Sequence, residues 1–306
     1  MQVLLTGSSG LIGSALAPAL AAQDHRVSRL VRSTAGTTEG ITFWDPAARK
    51  LDPAALEGVD AFVHLAGESI ASGRWSAARK EGIRDSRVQG THLLAERLAR
   101  LERPPKALVS ASAVGYYGDR GADVLTEESA AGSNFLAGVC REWEAATDLA
   151  AQRGIRVVLL RIAAVLSVAG GALAKMLLPF RMGVGGVVGS GQQYFSWISI
   201  DDLVRVIIHV LNADSLRGPV NAAAPNPATN AEFTKALGEA LGRPTIFPMP
   251  AFAARLALGE MADELLLASA RVVPTRLLAD GFQFHHSEIG PALRELLQRA
   301  GPRRVR

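Results

Sequence analysis

"TGSSGLIG", Thr6 to Gly13, follows directly on an apolar run, Val3 to Leu5, and precedes a helical pattern through Leu11, Ala15, Leu16 and Leu20. Its glycines stand at positions 7, 10 and 13, a G-x-x-G-x-x-G spacing. A lone glycine pattern is weak evidence, but one that closes a strand and opens a helix restricts the fold sharply. Gly7 and Gly10 let the backbone approach a diphosphate, and Gly13 lets the helix pack on the strand. The helix N-terminus adds free N–H groups and a partial positive charge. His25-Arg26 leads into a second strand, Val27 to Val31, completing a β-α-β unit. The contacts expected from this turn are Thr6, Gly7, Ser9, Gly10, Leu11, Ile12 and Gly13.

The alternation continues. "DAFVHLAG" (Asp60 to Gly67) reads as a buried strand, and "SAARKEGIRDSRVQGTHLLAERLARL" as a long amphipathic helix stopped by Pro104-Pro105. "KALVSASAVG" is a strand, "SNFLAGVCREWEAA" a helix, and "GIRVVLLRI" a strand again. Strands alternating with helices specify an α/β fold with a Rossmann-type, doubly wound parallel sheet. After Ile162 the rhythm loosens. A glycine-rich segment precedes "YFSWISIDDLVRVIIHVL", a short strand and a helix capped near Asp201, and "PVNAAAP" is a further strand. "TNAEFTKALGEALGRP" is a helix with Thr229 or Asn230 as N-cap. The expected division is a nucleotide-binding core over 1–165 and a smaller C-terminal substrate lobe over 166–306. That lobe returns some elements to the core and ends in a helical region at about 248–300.

Charge excludes little until its position is read. The formal net charge of +4 equals the four arginines of the tail "RAGPRRVR", Arg299, Arg303, Arg304 and Arg306; the other 29 basic residues balance 29 acidic ones. The tail reads as short and solvated, and no basic face with aromatics points to nucleic acid. Met182 to Ile200, the longest uncharged stretch, holds five glycines and two glutamines, so it reads as a loop and not a membrane span. One cysteine, Cys140, and no signal peptide point to a cytoplasmic protein. The six histidines show no metal spacing, and no metal site is expected.

The end of the second strand selects between the two nicotinamide cofactors. A carboxylate there would hold a ribose 2′-hydroxyl. "VSRLVRS" has none; it has Arg29 and Arg32, and Arg32 is placed to meet a 2′-phosphate. NADP (NADPH) is therefore expected in preference to NAD. "HLAGES" sets Leu65, Ala66 and Gly67 beside the cofactor, where small residues let it lie close to the backbone, and Arg87 on the long helix is a further candidate contact for cofactor or an anionic substrate.

These motifs resemble the extended short-chain dehydrogenase/reductases, which include nucleotide-sugar epimerases and dehydratases. T-G-x-x-G-x-I-G, "HLAG", "SASAVGYYG" and "LLRIAAVLS" carry the likeness. "SRVQGT", "FLAGVCREWE", "MLLPFRMGVGG", "GSGQQYFSWISIDDL", "NAAAPNPATNAEF" and "VVPTRLLADGFQF" are more specifically similar to an atypical "epimerase family protein" branch with its own C-terminal domain, across nearly the whole chain. The resemblance implies a nicotinamide cofactor and a small hydroxylated substrate, nucleotide-linked sugars being the group's usual class. Dimerisation through the long helices is normal for such folds, and nothing in the sequence specifies it.

By that resemblance the catalytic Ser falls on Ser112, the Tyr on Leu136 and the Lys on Cys140. None of the five lysines (50, 80, 106, 175, 235) has a tyrosine four residues before it, so the Tyr-x-x-x-Lys pair is absent and not displaced. Cys140 has no Lys or His at helical spacing and reads as core. Three residues are left as candidates for proton chemistry: Ser112, Tyr117 at the sheet edge, and Glu68 just after the third-strand glycine. Tyr117 as a base would need a lowered pKa, for which Arg87 or Arg161 are candidate neighbours. Two functions are weighed: an NADP-dependent epimerase or oxidoreductase, and a non-catalytic NADP-binding sensor or scaffold.

Overall fold

The computed structural model describes residues 1–32 and 40–300. Arg303, Arg304 and Arg306 of the basic tail lie outside them. Arg299 is not simply solvated: it pairs with Asp201 at 2.6 Å and with Glu295.

The first half runs β1 (Gln2–Thr6), α1 (Leu11–Ala21), β2 (Arg26–Val31), β3 (Ile41–Asp45), β4 (Lys50–Leu51), β5 (Ala61–His64), α2 (Ala77–Ala99), β6 (Ala107–Ala113), β7 (Val124–Leu125), α3 (Phe135–Ala145), α4 (Asp148–Gln152) and β8 (Arg156–Ile162). The second half runs β9 (Ala164–Leu166), α5 (Gly171–Arg181), β10 (Tyr194–Phe195), β11 (Trp197–Ser199), α6 (Ile200–Asn212), β12 (Gly218–Ala222), β13 (Ala228–Thr229), α7 (Asn230–Leu241), α8 (Ala251–Leu258), α9 (Glu260–Ala262), β14 (Arg271–Val272), α10 (Thr275–Ala279) and α11 (Ile289–Ala300).

The main sheet has the order β12-β8-β6-β5-β1-β2-β3-β4, parallel throughout except for the β3–β4 pairing at one edge. Successive side chains point to opposite faces, and both faces are covered. Val3 and Leu5 pack with Leu16 and Leu20 of α1 and with α6, while Leu4 and Phe62 pack with Leu93, Leu94 and Leu98 of α2. Each such leucine contributes roughly 1.5–3 kcal/mol by leaving water. This is the doubly wound α/β architecture. α6 and β12 return to it from the second half; β12 pairs β8 from Gly218 to Ala222.

A third cluster forms the lobe. Leu173, Leu177 and Phe180 of α5 meet Phe233 and Leu237 of α7 and Leu293 and Leu296 of α11. Thr229 caps α7 with a reciprocal Glu232 capping box. The α6 cap is Ser199, whose side chain accepts from Asp202 N; Asp201 lies inside the first turn.

The chain leaves β1 toward β2 and later returns to β5 on its other side. That reversal opens a crevice at the carboxyl ends of β1 and β5, where doubly wound sheets bind ligands.

Candidate functional site

Two loops form the crevice floor, the glycine turn after β1 and Leu65–Gly67 after β5. Gly7 has φ +67°, and a Cβ there would lie 2.7 Å from the Leu65 carbonyl. A Cβ on Gly13 would lie 2.3 Å from the Gly7 oxygen. Both glycines are therefore required by the protein's own packing. Gly10 differs: its φ is −77°, and its nearest contact for an added Cβ is the Gly7 oxygen at 3.3 Å. Gly10 is exposed at the N-cap of α1, where no side chain caps the helix and no acid stands in the first turn. An uncapped helix start beside an exposed glycine suits a diphosphate. This is the observation by which the residues present fit a dinucleotide.

Around it, Ser9 is exposed on the turn, and Leu11 packs beneath Gly170 and Gly171. Ile12 leans on the core. Arg32 is exposed one residue past β2, alongside the strand that carries the turn; residues 33–39 lie outside those described.

Thr6 is fully buried, and its task is internal. Its Oγ1 accepts from Leu65 N at 3.1 Å and Ala66 N at 3.3 Å and meets His64 Nδ1 at 2.7 Å. With two N–H groups donated to that oxygen, the hydroxyl hydrogen goes to Nδ1. His64 Nε2–H then donates to Thr91 Oγ1 at 3.0 Å, which also accepts from Trp143 Nε1 at 2.9 Å. Burial lowers the His64 pKa to about 4, so the ring is neutral. This chain ties the glycine turn to β5, α2 and α3.

Arg87 reaches from α2 to the β5 loop. It donates to the Glu68 carbonyl at 2.9 Å and the Ile83 carbonyl at 2.9 Å, and stacks over Trp143 at 5.1 Å. Gly67 is pressed against it; an added Cβ would lie 3.4 Å from its Cζ. Among the described residues no carboxylate lies in ion-pair range of Arg87, and burial lowers its pKa. Glu68 is half-buried at the crevice edge, with its carboxylate held by Arg79 at 2.7 Å and its N–H donated to Ser86 Oγ at 3.1 Å.

Ser112 and Tyr117 are brought together, but below the surface. Ser112 Oγ donates to Glu144 at 2.7 Å. Glu144 grips Arg161 through two bonds, 2.8 and 2.9 Å, and Arg161 Nη1 donates to Tyr117 Oη at 3.1 Å. Tyr117 in turn donates to Asn221 Oδ1 at 2.7 Å. Tyr117 has no exposed surface, and burial raises its pKa despite Arg161. The lowered pKa that a Tyr117 base would need is not met, and in place of the expected position at the sheet edge the strand-end turn folds the ring inward onto β8 and β12.

The α3 face is equally closed. Leu136 packs on Gly115, and Cys140 is buried with its thiol pushed up to about 12 by burial and by Glu144. Glu264 caps this helix from the C-terminal region. Its carboxylate accepts from Phe135 N at 3.1 Å, Leu136 N at 3.2 Å and Asn134 Nδ2 at 2.7 Å. No local pattern marks Glu264 for this role, because its partners lie about 130 residues away.

An α/β sheet with an uncapped glycine turn at its switch point defines a dinucleotide-binding protein of Rossmann type. The chain belongs to the NAD dependent epimerase/dehydratase family, whose model matches residues 3–223. A second model, a domain of unknown function (DUF1731), matches residues 249–296. The chain is 48% identical over 299 residues to an epimerase family protein of Mycobacterium tuberculosis, covering 98% of each. It superposes on the crystal structure of human epimerase family protein SDR39U1 (isoform 2) with NADPH at TM-score 0.90 and 37% identity, covering 97% of this chain and 99% of that one. A nucleoside-diphosphate sugar epimerase structure from Corynebacterium glutamicum gives TM-score 0.80 and 38% identity, covering 97% of this chain and 58% of that one.

Proposed function

We propose that this protein binds NADPH and exchanges a hydride with a small hydroxyl- or carbonyl-bearing substrate, as an epimerase or oxidoreductase without the Tyr-x-x-x-Lys pair. The observation that carries the reading is the exposed Gly10 at the uncapped α1 N-terminus. Arg32 in place of an acid after β2, and the NADPH named for the human relative, support the phosphorylated cofactor. NADPH, when bound, supplies the hydride. The turn from Gly7 to Gly13 holds the diphosphate on backbone N–H groups, Arg32 takes the 2′-phosphate, and Leu65 to Gly67 leave room for the cofactor to lie against backbone. Arg87 fixes the Glu68 backbone and lends positive charge at the edge.

Of the three proton candidates, Glu68 is the one that is only half-buried, its carboxylate held by Arg79 at 2.7 Å, and it is the residue proposed to carry the proton. Ser112 and Tyr117 act as positioning residues through Glu144 and Arg161. Nucleotide-linked sugars, the class named for the Corynebacterium relative, are the first substrates to test. The cytoplasm is the proposed compartment, in keeping with a single buried free thiol.

The second reading, a non-catalytic NADP-binding sensor or scaffold, is favoured by one observation: the hydroxyls of Ser112 and Tyr117 are already engaged inside the protein. The test is a fluorescence titration with NADPH, followed by NADPH oxidation over a panel of carbonyl compounds and nucleotide-linked sugars, with Gly10→Glu and Glu68→Gln alongside. Turnover lost in Glu68→Gln with binding intact supports the enzyme. Tight binding with no turnover across the panel supports the module. Unchanged binding in Gly10→Glu removes the cofactor assignment.

A further inference from the structure

Among the described residues, thirteen large apolar side chains stand exposed, and eight of them lie in two short segments of the lobe. Leu178, Met182 and Val184 belong to α5 and its exit; Ile246, Phe247 and Met249 precede α8, and Phe252 and Leu256 stand on its outer face. The segments are one surface, because Gly186 bridges Ile246 and Val188 bridges Met249. Phe247 and Phe252 are 56% and 72% exposed. At roughly 150–250 Å² per aromatic side chain, these two alone present on the order of 250 Å². Six more side chains carry the face to or past the roughly 300–600 Å² of the largest patch on an ordinary monomer.

The face is continuous with the dinucleotide crevice. Gly170 and Gly171, which open α5, touch Leu11 of the glycine turn. Lys175 of α5 donates to the Ala71 carbonyl at 2.8 Å, and Arg74 donates to the Leu256 carbonyl at 3.0 Å. Both ends of the face therefore meet the loop that leads from β5 to α2. Its charge is basic. Lys175 and Arg181 stand exposed on α5 and Arg243 just before Ile246, whereas the nearby acids Glu260 and Asp263 are paired with Lys80 at 2.8 Å and Arg255 at 2.9 Å.

We infer that this face holds the body of the substrate, and that the substrate is an anionic amphiphile: an apolar chain or ring system bearing a carboxylate or phosphate. This rests on the NADPH-dependent reading above and names its substrate class. The apolar residues take the body, the excess of cations takes the acidic group, and the crevice lies at the end of the face. A second copy of the chain fits less well, because it would set like charges against one another.

Calorimetric titration of decanoate into the NADPH-loaded protein tests the inference, with UDP-glucose and 1-decanol as comparison ligands. Decanoate is expected to bind with a negative heat-capacity change. Phe252→Ser/Leu256→Ser should weaken it at least about tenfold, and Arg181→Glu should weaken decanoate but not 1-decanol. Both variants change exposed side chains, and NADPH affinity should be unchanged in each. The inference is overturned if UDP-glucose binds and loses affinity in the double variant, if decanoate affinity is unaffected, or if sedimentation shows a dimer that the double variant dissociates. Failure of the wild type to bind NADPH would instead sink the reading on which the inference rests, whatever decanoate does.

Discussion

Three glycines of one turn should fail in two different ways. In Gly13→Ala the new Cβ would stand 2.3 Å from the Gly7 oxygen, so α1 must shift off β1. Overpacking of this kind costs about 1–3 kcal/mol. In Gly7→Ala the Cβ would stand 2.7 Å from the Leu65 carbonyl, at φ +67°. The left-handed backbone adds about 1–2 kcal/mol, for a total near 2–5 kcal/mol. Gly10→Ala escapes the backbone penalty at φ −77°, and its closest contact, the Gly7 oxygen at 3.3 Å, asks for a shift of only a few tenths of an ångström. At a compatible backbone position Gly→Ala stabilises by about 0.4–1 kcal/mol, so its stability should stay within about 1 kcal/mol of wild type. Its methyl group, however, stands over the helix start. NADPH affinity should fall at least about tenfold, or about 1.4 kcal/mol. Urea unfolding reads the first quantity and fluorescence titration of NADPH the second. A Gly10→Ala protein that binds NADPH like wild type, beside a Gly13→Ala protein of undiminished stability, would refute the division of labour between these glycines.

Arg32→Asp should move preference from NADPH toward NADH in the same titration; equal ratios before and after would remove Arg32 from the 2′-phosphate. Glu144→Ala leaves Arg161 buried without its partner and should cost about 3–5 kcal/mol in urea unfolding, whereas Glu144→Leu/Arg161→Met should cost much less; equal losses would show that the ion pair is not the cause. His64 has its folded pKa lowered to about 4 from 6.5, so below pH 6.5 the unfolded chain takes up a proton that the folded one refuses. Stability should therefore be full above pH 6.5 and fall by on the order of 3 kcal/mol as pH drops to about 4. His64→Asn should flatten that limb, and a curve of unchanged slope would clear His64.

The nucleotide half was legible because its signals are local. The glycine turn, the apolar strands and the helix that starts at Asn134 each announce themselves within a dozen residues, and both faces of the sheet are covered as their uninterrupted apolar runs require. The β3–β4 pair escaped because Phe43 is exposed and Trp44 buried in strands of only five and two residues. The interior of the site was not legible, for a different reason. Tyr117 reads as a proton donor by residue type, yet its partner Asn221 is 104 positions away, and Arg161 reaches it only because β6 and β8 lie side by side. A hydroxyl's role depends on what the fold sets opposite it, and pattern reports only what lies along the chain. Thr6 shows the same limit at the glycine turn, where a presumed ligand contact holds two backbone N–H groups of the next strand's loop.

The Glu264 cap joins the two matched regions. The carboxylate lies within the matched C-terminal region, 249–296, while the amides it receives begin α3 inside the epimerase-matched region, 3–223. Exchange of the last sixty or so residues for an unrelated module would leave the Phe135 and Leu136 amides at the start of α3 without their acceptor. The C-terminal segment is therefore a structural part of the nucleotide half, because Glu264 completes a helix that belongs to it.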